Sequence, residues 1–212
     1  MPIRQILVPV STDTGADQLI RNAIAIAQRL KAHVVVTDTL ATHFADIAAT
    51  DLVSSPAYAD VMKQVEARHT KVRETIKQQF HEAVKASDIR LAERGSPTFA
   101  TARWIDNSEY YNPVWAFGRL CELVIARRPV RAISPEQTVV EEALFETQRP
   151  ILLLPSKGTH FEGGSAVAWN GSLEAATALE RAIDLMDRHA PVTVIQVGDL
   201  PGAWAEKMQK VL

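Results

Sequence analysis

The feature that most constrains this chain is a regular alternation of short apolar runs and helical patterns. Residues 5–10, QILVPV, are rich in β-branched side chains and are followed by turn and cap formers. Such a bounded run is typical of a buried strand. The next helix is indicated by apolar residues spaced three or four apart, Leu19, Ala23, Ile26, Ala27 and Leu30. Residues 32–39, AHVVVTDT, then predict a second strand, which completes the strand–helix–strand unit of parallel sheets.

The middle of the chain continues the alternation. A long polar helix is predicted from Ser55 to Ala86, with Pro56 suited to its first turn. Its apolar residues recur mainly at four-residue steps, and we expect them to cover one face of the sheet: Val61, Val65, Val72, Ile76, Phe80 and Val84. Residues 100–105, ATARWI, are favoured as the third strand over the weaker alternative, RLAE around Leu91.

The remaining elements of the first 156 residues follow the same order. Pro113 can open a short helix to Leu120, and residues 122–126, ELVIA, predict a fourth strand. Ser134, as N-cap before Pro135, predicts a helix to about Gln148, and residues 151–154 predict a fifth strand. Strands and helices in alternation predict an α/β fold, a doubly wound open parallel sheet of five strands with helices on both faces.

The opening pattern returns near the C-terminus. At a constant offset of 159, Val8 matches Val167, and the later matches are Ala23 with Ala182, Ile24 with Ile183, Ile26 with Leu185 and Arg29 with Arg188. At an offset of 158, Val34 and Val36 match Val192 and Val194. Constant register over the same elements argues for a duplicated domain. We predict a domain over 1–156, a linker over 157–164 and an incomplete second copy over 165–212.

The second copy is predicted to consist of one strand–helix–strand unit. Its strand covers Ser165–Trp169, its helix Leu173–His189 and its second strand Val192–Val197. A single unit of this kind cannot cover both faces of a sheet, so we expect it to dock on the first domain or pair with another chain, unless it is disordered.

These residues resemble the universal stress protein (UspA-type) family. The resemblance lies in ILVPV, the Ala-rich helix that ends in QRL, AHVVV, ELVIA, RPILLLP and the second start, VAWNGSLEAATALERAIDL. It implies a sheet of strand order 3-2-1-4-5 and a homodimer or pseudo-dimer contact through the last strand, Ile151, Leu152, Leu153 and Leu154. It also implies ATP binding where the strand order reverses, since many members bind ATP there.

The glycine-rich phosphate loop of that family is missing. ATP-binding members carry a glycine, two residues, a second glycine, nine residues and then glycine with Ser or Thr. Glycine is needed because a Cβ would block the phosphate. Residues 127–150 contain no glycine. The family's Asp after the first strand is replaced by Ser11 and Thr12, and by Asn170 in the second copy. No cofactor is therefore expected, although ATP or AMP stays possible.

If a nucleotide binds, the crevice residues are the candidates: Pro9, Val10, Ser11, Thr12, Asp38, Ala126, Arg127, Arg128 and Arg131. The second-copy equivalents are Trp169, Asn170 and Gly171. Guanidinium groups could replace glycine amides as phosphate partners, or the arginines could form only a solvated loop. Ser11, Thr12 and Asp13 could cap the first helix, which is the interpretation we favour. Asp38 could contact a ligand hydroxyl or serve a turn.

Other candidate groups point to packing rather than chemistry. The aromatic residues after the third strand could stack a ring, but packing is the favoured interpretation: Tyr110, Tyr111, Trp115 and Phe117. Cys121 is expected to be a small buried residue before the fourth strand. The six histidines show no metal-site spacing, and no catalytic motif appears.

Composition restricts location and partners. The net charge of −2 gives no reason to expect nucleic acid or an acidic membrane, and the first apolar run is too short for a span. A single cysteine fits a reducing compartment, so a cytoplasmic protein is expected. We therefore expect a non-enzymatic stress-response protein that acts through dimerisation or partner contact. The alternative is a nucleotide- or anion-binding module, and an enzyme is a weaker third hypothesis.

Overall fold

The computed structural model describes residues 2–40, 56–106, 112–156, 163–187 and 189–196. The chain divides into two compact units, residues 3–158 and 159–212. The predicted linker, 157–164, lies largely outside the described residues, as do Tyr110, Tyr111, Arg188 and Val197.

The first unit has ten elements in the described residues, and their bounds follow the predicted alternation. The strands are β1 (Gln5–Val10), β2 (His33–Asp38), β3 (Arg90–Leu91), β4 (Thr101–Ile105), β5 (Leu123–Arg127) and β6 (Ile151–Leu154). The helices are α1 (Ala16–Leu30), α2 (Pro56–Ser87), α3 (Pro113–Gly118) and α4 (Pro135–Thr147).

The strands form one parallel sheet in the order β3-β4-β2-β1-β5-β6. Without β3, this is the predicted order 3-2-1-4-5, so the predicted fold class is confirmed. The prediction of five strands, with residues around Leu91 left out, is wrong by one short strand. Arg90 and Leu91 pair with Thr101 and Ala102 at the sheet edge. Two residues are too few to show a strand pattern in the sequence.

β1 is one of the two central strands of the sheet, and it pairs with β2 on one side and with β5 on the other. Its residues Ile6 to Val10 are all buried. A strand covered on both faces and hydrogen-bonded on both edges has no position that suits a charged side chain. This explains why the run QILVPV is continuously apolar rather than alternating.

The helices lie on opposite faces of the sheet. The ring of Phe80 in α2 lies 6.0 Å from the ring of Trp104 in β4. On the other face, a core cluster joins Leu7 and Val124 with Val114 and Ala143 from α3 and α4. Successive side chains of a strand point to opposite faces of the sheet. Arg103 is in register with Val35, which in turn pairs with Leu7, so these three residues share one face and Trp104 lies on the other. The predicted cover on both faces is therefore confirmed.

The long helix covers the sheet only with its C-terminal half. Ile76, Phe80, Ala83 and Val84 are buried, whereas the side chain of Val61 is 55 % exposed. The predicted helix is confirmed within one residue at each end, but its apolar positions near the start do not reach the sheet core. The four-residue spacing of apolar side chains in α2 therefore extends beyond the segment that packs against the sheet.

The second unit contains β7 (Ser165–Trp169), α5 (Leu173–Ile183) and β8 (Val192–Gln196). β7 and β8 are parallel, and Val167 pairs with Val194. The matching residues Val8 and Val36 pair in the first unit, so both units have the same strand register. The duplication itself stays a prediction. The predicted helix to His189 is wrong, because Leu185 and Met186 donate backbone hydrogen bonds to Ala182 and close the helix in a turn.

We predict that Gly118→Ala lowers the free energy of unfolding by about 1–2 kcal/mol, because the new Cβ would overlap the buried Thr147 methyl group. The gain in helix propensity, about 1 kcal/mol, does not offset the overlap at this last residue of α3. Chemical denaturation measures the difference.

The matched variant is Thr147→Ser, which removes the methyl group but keeps the hydroxyl that donates to the Ala143 carbonyl. The double variant Gly118→Ala/Thr147→Ser should be more stable than the sum of the single changes predicts. Additive losses would show that the two residues do not interfere.

Candidate functional site

The candidate site is a small crevice between the carboxyl ends of β1 and β5. These neighbouring strands start the two halves of the sheet, so the strand order reverses between them. Six of the predicted residues line it: Pro9, Val10, Ser11, Thr12, Ala126 and Arg127. The structure brings them together although more than one hundred residues separate the two groups.

Arg127 lines this crevice, and its guanidinium group lies beside the start of α1. Its Nη1 donates to the Thr14 carbonyl and lies 3.9 Å from a carboxylate oxygen of Glu136. Its Nη2 donates to the Ser156 hydroxyl over 3.4 Å. The Arg127 side chain is only 21 % exposed. A charged side chain so placed needs these partners, because burial without them would leave its donors unsatisfied.

The start of α1 is shaped around that guanidinium. Gly15 is the N-cap residue, has φ of 73° and makes no side-chain cap hydrogen bond. A Cβ at Gly15 would lie 2.9 Å from Arg127 Nη1, so both the backbone conformation and the contact favour glycine here. The predicted capping of α1 by Ser11, Thr12 or Asp13 is therefore wrong. The hydroxyl of Thr12 instead accepts from the Thr14 amide over 3.2 Å.

Arg128 and Arg131 lie outside the crevice, since both are exposed and neither lines it. The Arg128 amide donates to the Leu154 carbonyl over 2.8 Å, which extends the β5–β6 ladder. Between them and α4 the chain exposes two apolar side chains, Val130 at 79 % and Ile133 at 94 %. Of the three predicted arginines, only Arg127 belongs to the crevice.

The sequence analysis missed four residues that lie beside the Arg127 guanidinium: Thr14, Gly15, Glu136 and Ser156. Glu136 sits in the first turn of α4, after Ser134, whose side chain accepts from the Gln137 amide as predicted. A carboxylate there is favoured by the helix dipole. The Ser-Pro-Glu-Gln start of α4 indicated that Glu136 lies in the first turn of this helix. Its contact with Arg127 could not be predicted, because it depends on β5 ending beside the start of α4.

Asp38 ends β2 next to Val10 and is fully buried. Its Oδ2 accepts from Arg73 Nε of α2 at 3.0 Å, and its Oδ1 accepts from the Leu40 amide at 3.3 Å. Arg73 also lies 4.0 Å from Asp106. Asp38 thus ties the long helix to the sheet and does not line the crevice.

The equivalent turn in the second unit follows β7. Trp169 is buried, Asn170 Oδ1 accepts from the Ser172 amide at 3.0 Å, and Gly171 has φ of 78°. Ser172 is the N-cap of α5 and accepts from the Ala175 amide. A side chain thus caps the helix after this turn, whereas the counterpart turn in the first unit lacks a side-chain cap.

β6 forms the other end of the sheet and pairs only with β5 in the described residues. Its burial is incomplete, and the side chain of Leu153 is 40 % exposed. The carbonyls of Pro150 and Leu154 accept from β5 and the residue after it. Main-chain groups alternate in direction along a parallel strand, so those of Ile151 and Leu153 point to the free edge.

The remaining candidates are structural in the described residues. Trp115 is 48 % exposed beneath the Arg119 guanidinium, and Phe117 packs against the core cluster under α3. Cys121 is buried before β5, as predicted, and burial raises the pKa of its thiol to about 11. No group of three or more potential metal ligands occurs among the described residues. In the same residues, no helix has the length and apolarity to cross a membrane.

Sequence comparisons give no assignment: no protein-family model and no curated protein matches the chain. Solved structures do match. A universal stress protein in complex with cAMP is 12 % identical at a TM-score of 0.41, covering 74 % of this chain and 100 % of that one. The universal stress protein UspA from Lactobacillus plantarum is 15 % identical at 0.36, covering 93 % of this chain and 99 % of that one. Both belong to the family that the sequence resembles.

We predict that Arg73→Met lowers the free energy of unfolding by about 2–3 kcal/mol, because the buried Asp38 carboxylate loses its charged partner. Arg68→Met, an exposed position on the same helix, should change stability by less than about 0.5 kcal/mol. Urea denaturation measures both.

The double variant Asp38→Asn/Arg73→Met should be more stable than Arg73→Met alone, since the uncompensated charge is then absent. If Arg73→Met and Arg68→Met have equal effects, the ion pair does not hold α2 to the sheet.

Proposed function

We propose that this protein is a stress-response protein of the universal-stress-protein type that acts without catalysis, by pairing through the β6 edge of its first unit. The observation that carries the proposal is the outer edge of β6, which pairs with no strand in the part of the chain that the structure describes and to which Ile151 and Leu153 direct their main-chain groups. The occupant we propose is a second copy of the chain. A free strand edge is a template for pairing with another strand.

The side chains at this edge support pairing. Ile151 and Leu152 are half-buried, and Leu153 is 40 % exposed, so apolar surface accompanies the free backbone. Two devices that oppose edge pairing are missing from the strand itself, since Ile151 to Leu154 includes no charge and no proline. Burying these leucines against a second copy would add apolar burial to the new ladder.

The contacts within the crevice argue against nucleotide binding there, which favours the proposal of self-pairing. Arg127 lines the crevice, and its guanidinium group already contacts the Thr14 carbonyl and the Glu136 carboxylate. A triphosphate would have to displace that pairing and lie next to the Glu136 carboxylate. No glycine lies between β5 and β6 to supply close backbone amides.

A second candidate function, binding of a nucleotide or another anion, is favoured by one observation. The guanidinium of Arg127 lies at the N-terminus of α1 in the crevice where strand order reverses, which is where an anion would bind in such folds. Movement of Arg127 from Glu136 to a phosphate would be required.

For the leading proposal we predict that the wild-type chain sediments as a dimer at micromolar concentration and that Leu153→Lys weakens the dimer by at least about tenfold. The reason is that a lysine at the edge would be brought beside its symmetry mate. Sedimentation equilibrium gives the dissociation constants.

Leu173→Lys is the matched control, because Leu173 is an equally apolar residue, 78 % exposed, in the second unit. It should leave the dimer unchanged. A concentration of about 100 µM is on the order of the dissociation constant of a weak, transient interface. A wild-type chain that stays monomeric at this concentration would overturn the proposal of self-pairing. Equal weakening by both variants would move the contact away from β6.

For the crevice we predict no change in melting temperature with millimolar ATP, AMP or cAMP, with or without magnesium. A ligand bound only by the folded state adds about 2.7 kcal/mol at a hundredfold excess over its dissociation constant, so binding would be visible. A saturable rise that is lost in Arg127→Ala but kept in Arg128→Ala would instead establish the second candidate, because only Arg127 lines the crevice.

A further inference from the structure

A second concave site lies on the sheet face that α3 and α4 share. It is a groove of about 570 Å³ in the first unit, well apart from the crevice, since it is lined from β1, β2, β4, α3 and the chain between β3 and β4. Its size is that of sites that hold small organic ligands. α3 has only six residues, and among the described helices none packs over β2 and β4 on this face.

The floor of the groove is apolar. Leu7, Val35 and Ile105 lie on this face of three adjacent strands, as their register and the alternation of side chains require. Phe117 and Leu120 form the wall on the side of α3. Leu120 is 69 % exposed. A polar solute would gain nothing on this surface, whereas an apolar chain would be removed from water.

The opposite wall is positively charged. Arg103, next to Val35 on β4, lies in the groove with Arg4 and Arg94, against one carboxylate, that of Glu93. The nearby carboxylate of Glu122 is not part of the lining and accepts from the Arg4 and Gln5 amides at 3.1 and 2.7 Å. The groove residues thus carry an excess of positive charge.

The N–H donors of Arg103 are not all used by Glu93. Its Nη2 lies 2.7 Å from Glu93 Oε2, and its Nε has no hydrogen-bond partner in the described residues. The Glu93 side chain is 81 % exposed, so this ion pair is open to water and to competition. A guanidinium has five N–H donors and binds carboxylates in a bidentate manner, so a second carboxylate could share it or replace Glu93.

The histidine of the lining already has a hydrogen-bond partner. His33 is buried beneath the groove, its Nδ1 lies 2.7 Å from the Thr101 hydroxyl, and burial lowers its pKa below the ordinary 6.5. His33 is therefore neutral at pH 7 and does not compete for a negatively charged head group. The charge of the groove comes from its arginines.

We propose that this groove binds a monocarboxylate with an apolar chain, whose carboxylate pairs with Arg103 and whose chain lies on Val35 against Phe117 and Leu120. Neither half of the ligand is sufficient. A small anion would leave the apolar surface of these three residues in contact with water, and a neutral chain would not engage the Arg103 donors.

The test is calorimetric titration of the full chain with sodium octanoate at pH 7. Binding should be saturable in the wild type and weaker by about tenfold or more in Arg103→Gln, since a charged hydrogen-bonded contact is lost. Glu93→Gln should bind at least as tightly as the wild type, because the competing carboxylate is gone. Arg21→Gln, an exposed arginine of α1, should leave binding unchanged.

Two further probes separate the halves of the ligand: acetate, which has only the carboxylate, and 1-octanol, which has only the chain. Both should bind at least about tenfold more weakly than octanoate. No binding of octanoate at millimolar concentration, equal binding by Arg103→Gln, or equal binding of acetate would each overturn the proposal.

Should Arg103→Gln fail to fold, amide chemical shifts of the wild type give the answer. Octanoate should shift the resonances of Val35, Phe117 and Arg103, and shifts confined to other residues would overturn the assignment. Because the groove shares no residue with β6 or with Arg127, these outcomes are independent of the proposed dimer.

Discussion

The structure depends on β1 being paired on both edges and covered on both faces. Its partners β2 and β5 come from different parts of the chain, one after α1 and the other more than one hundred residues later. The helices α1 and α2 pack together on one face of the sheet and α3 and α4 on the other, and the strand order reverses between β1 and β5. The crevice between β1 and β5 follows from this arrangement, whatever residues are placed in it.

The topology of the sheet creates the crevice, whereas the side chains at its edges determine what occupies it. In this chain an arginine at the end of β5 reaches the start of α1 and meets a carboxylate at the start of α4. One side chain thereby connects the first turns of two helices on opposite faces of the sheet. The same fold can thus keep its topology while the space usually available for a ligand is used for internal contacts.

The sequence predicted what depends on local pattern and missed what depends on distant partners. The β-branched runs gave the five longer strands of the first unit within about one residue at each end, and Ser134 was correctly expected to cap α4. The two residues of β3 carry no pattern, since their assignment depends only on pairing with β4. Gly15 was missed as the N-cap because three better cap formers precede it, and the contact with Arg127 explains glycine there. Arg128 and Arg131 looked equivalent to Arg127 in the sequence, yet only a residue within β5 lies close enough to α1.

Cys121 has a consequence for the chemistry of the whole molecule. It is the only cysteine, it is buried, and its thiol donates to the Gly118 carbonyl. With its pKa raised to about 11, very little thiolate forms at neutral pH, and thiolate is the nucleophile that attacks peroxides and disulfides. In the folded chain this thiol therefore reacts slowly with peroxides and disulfides, so the one cysteine is poorly suited to act as a redox sensor.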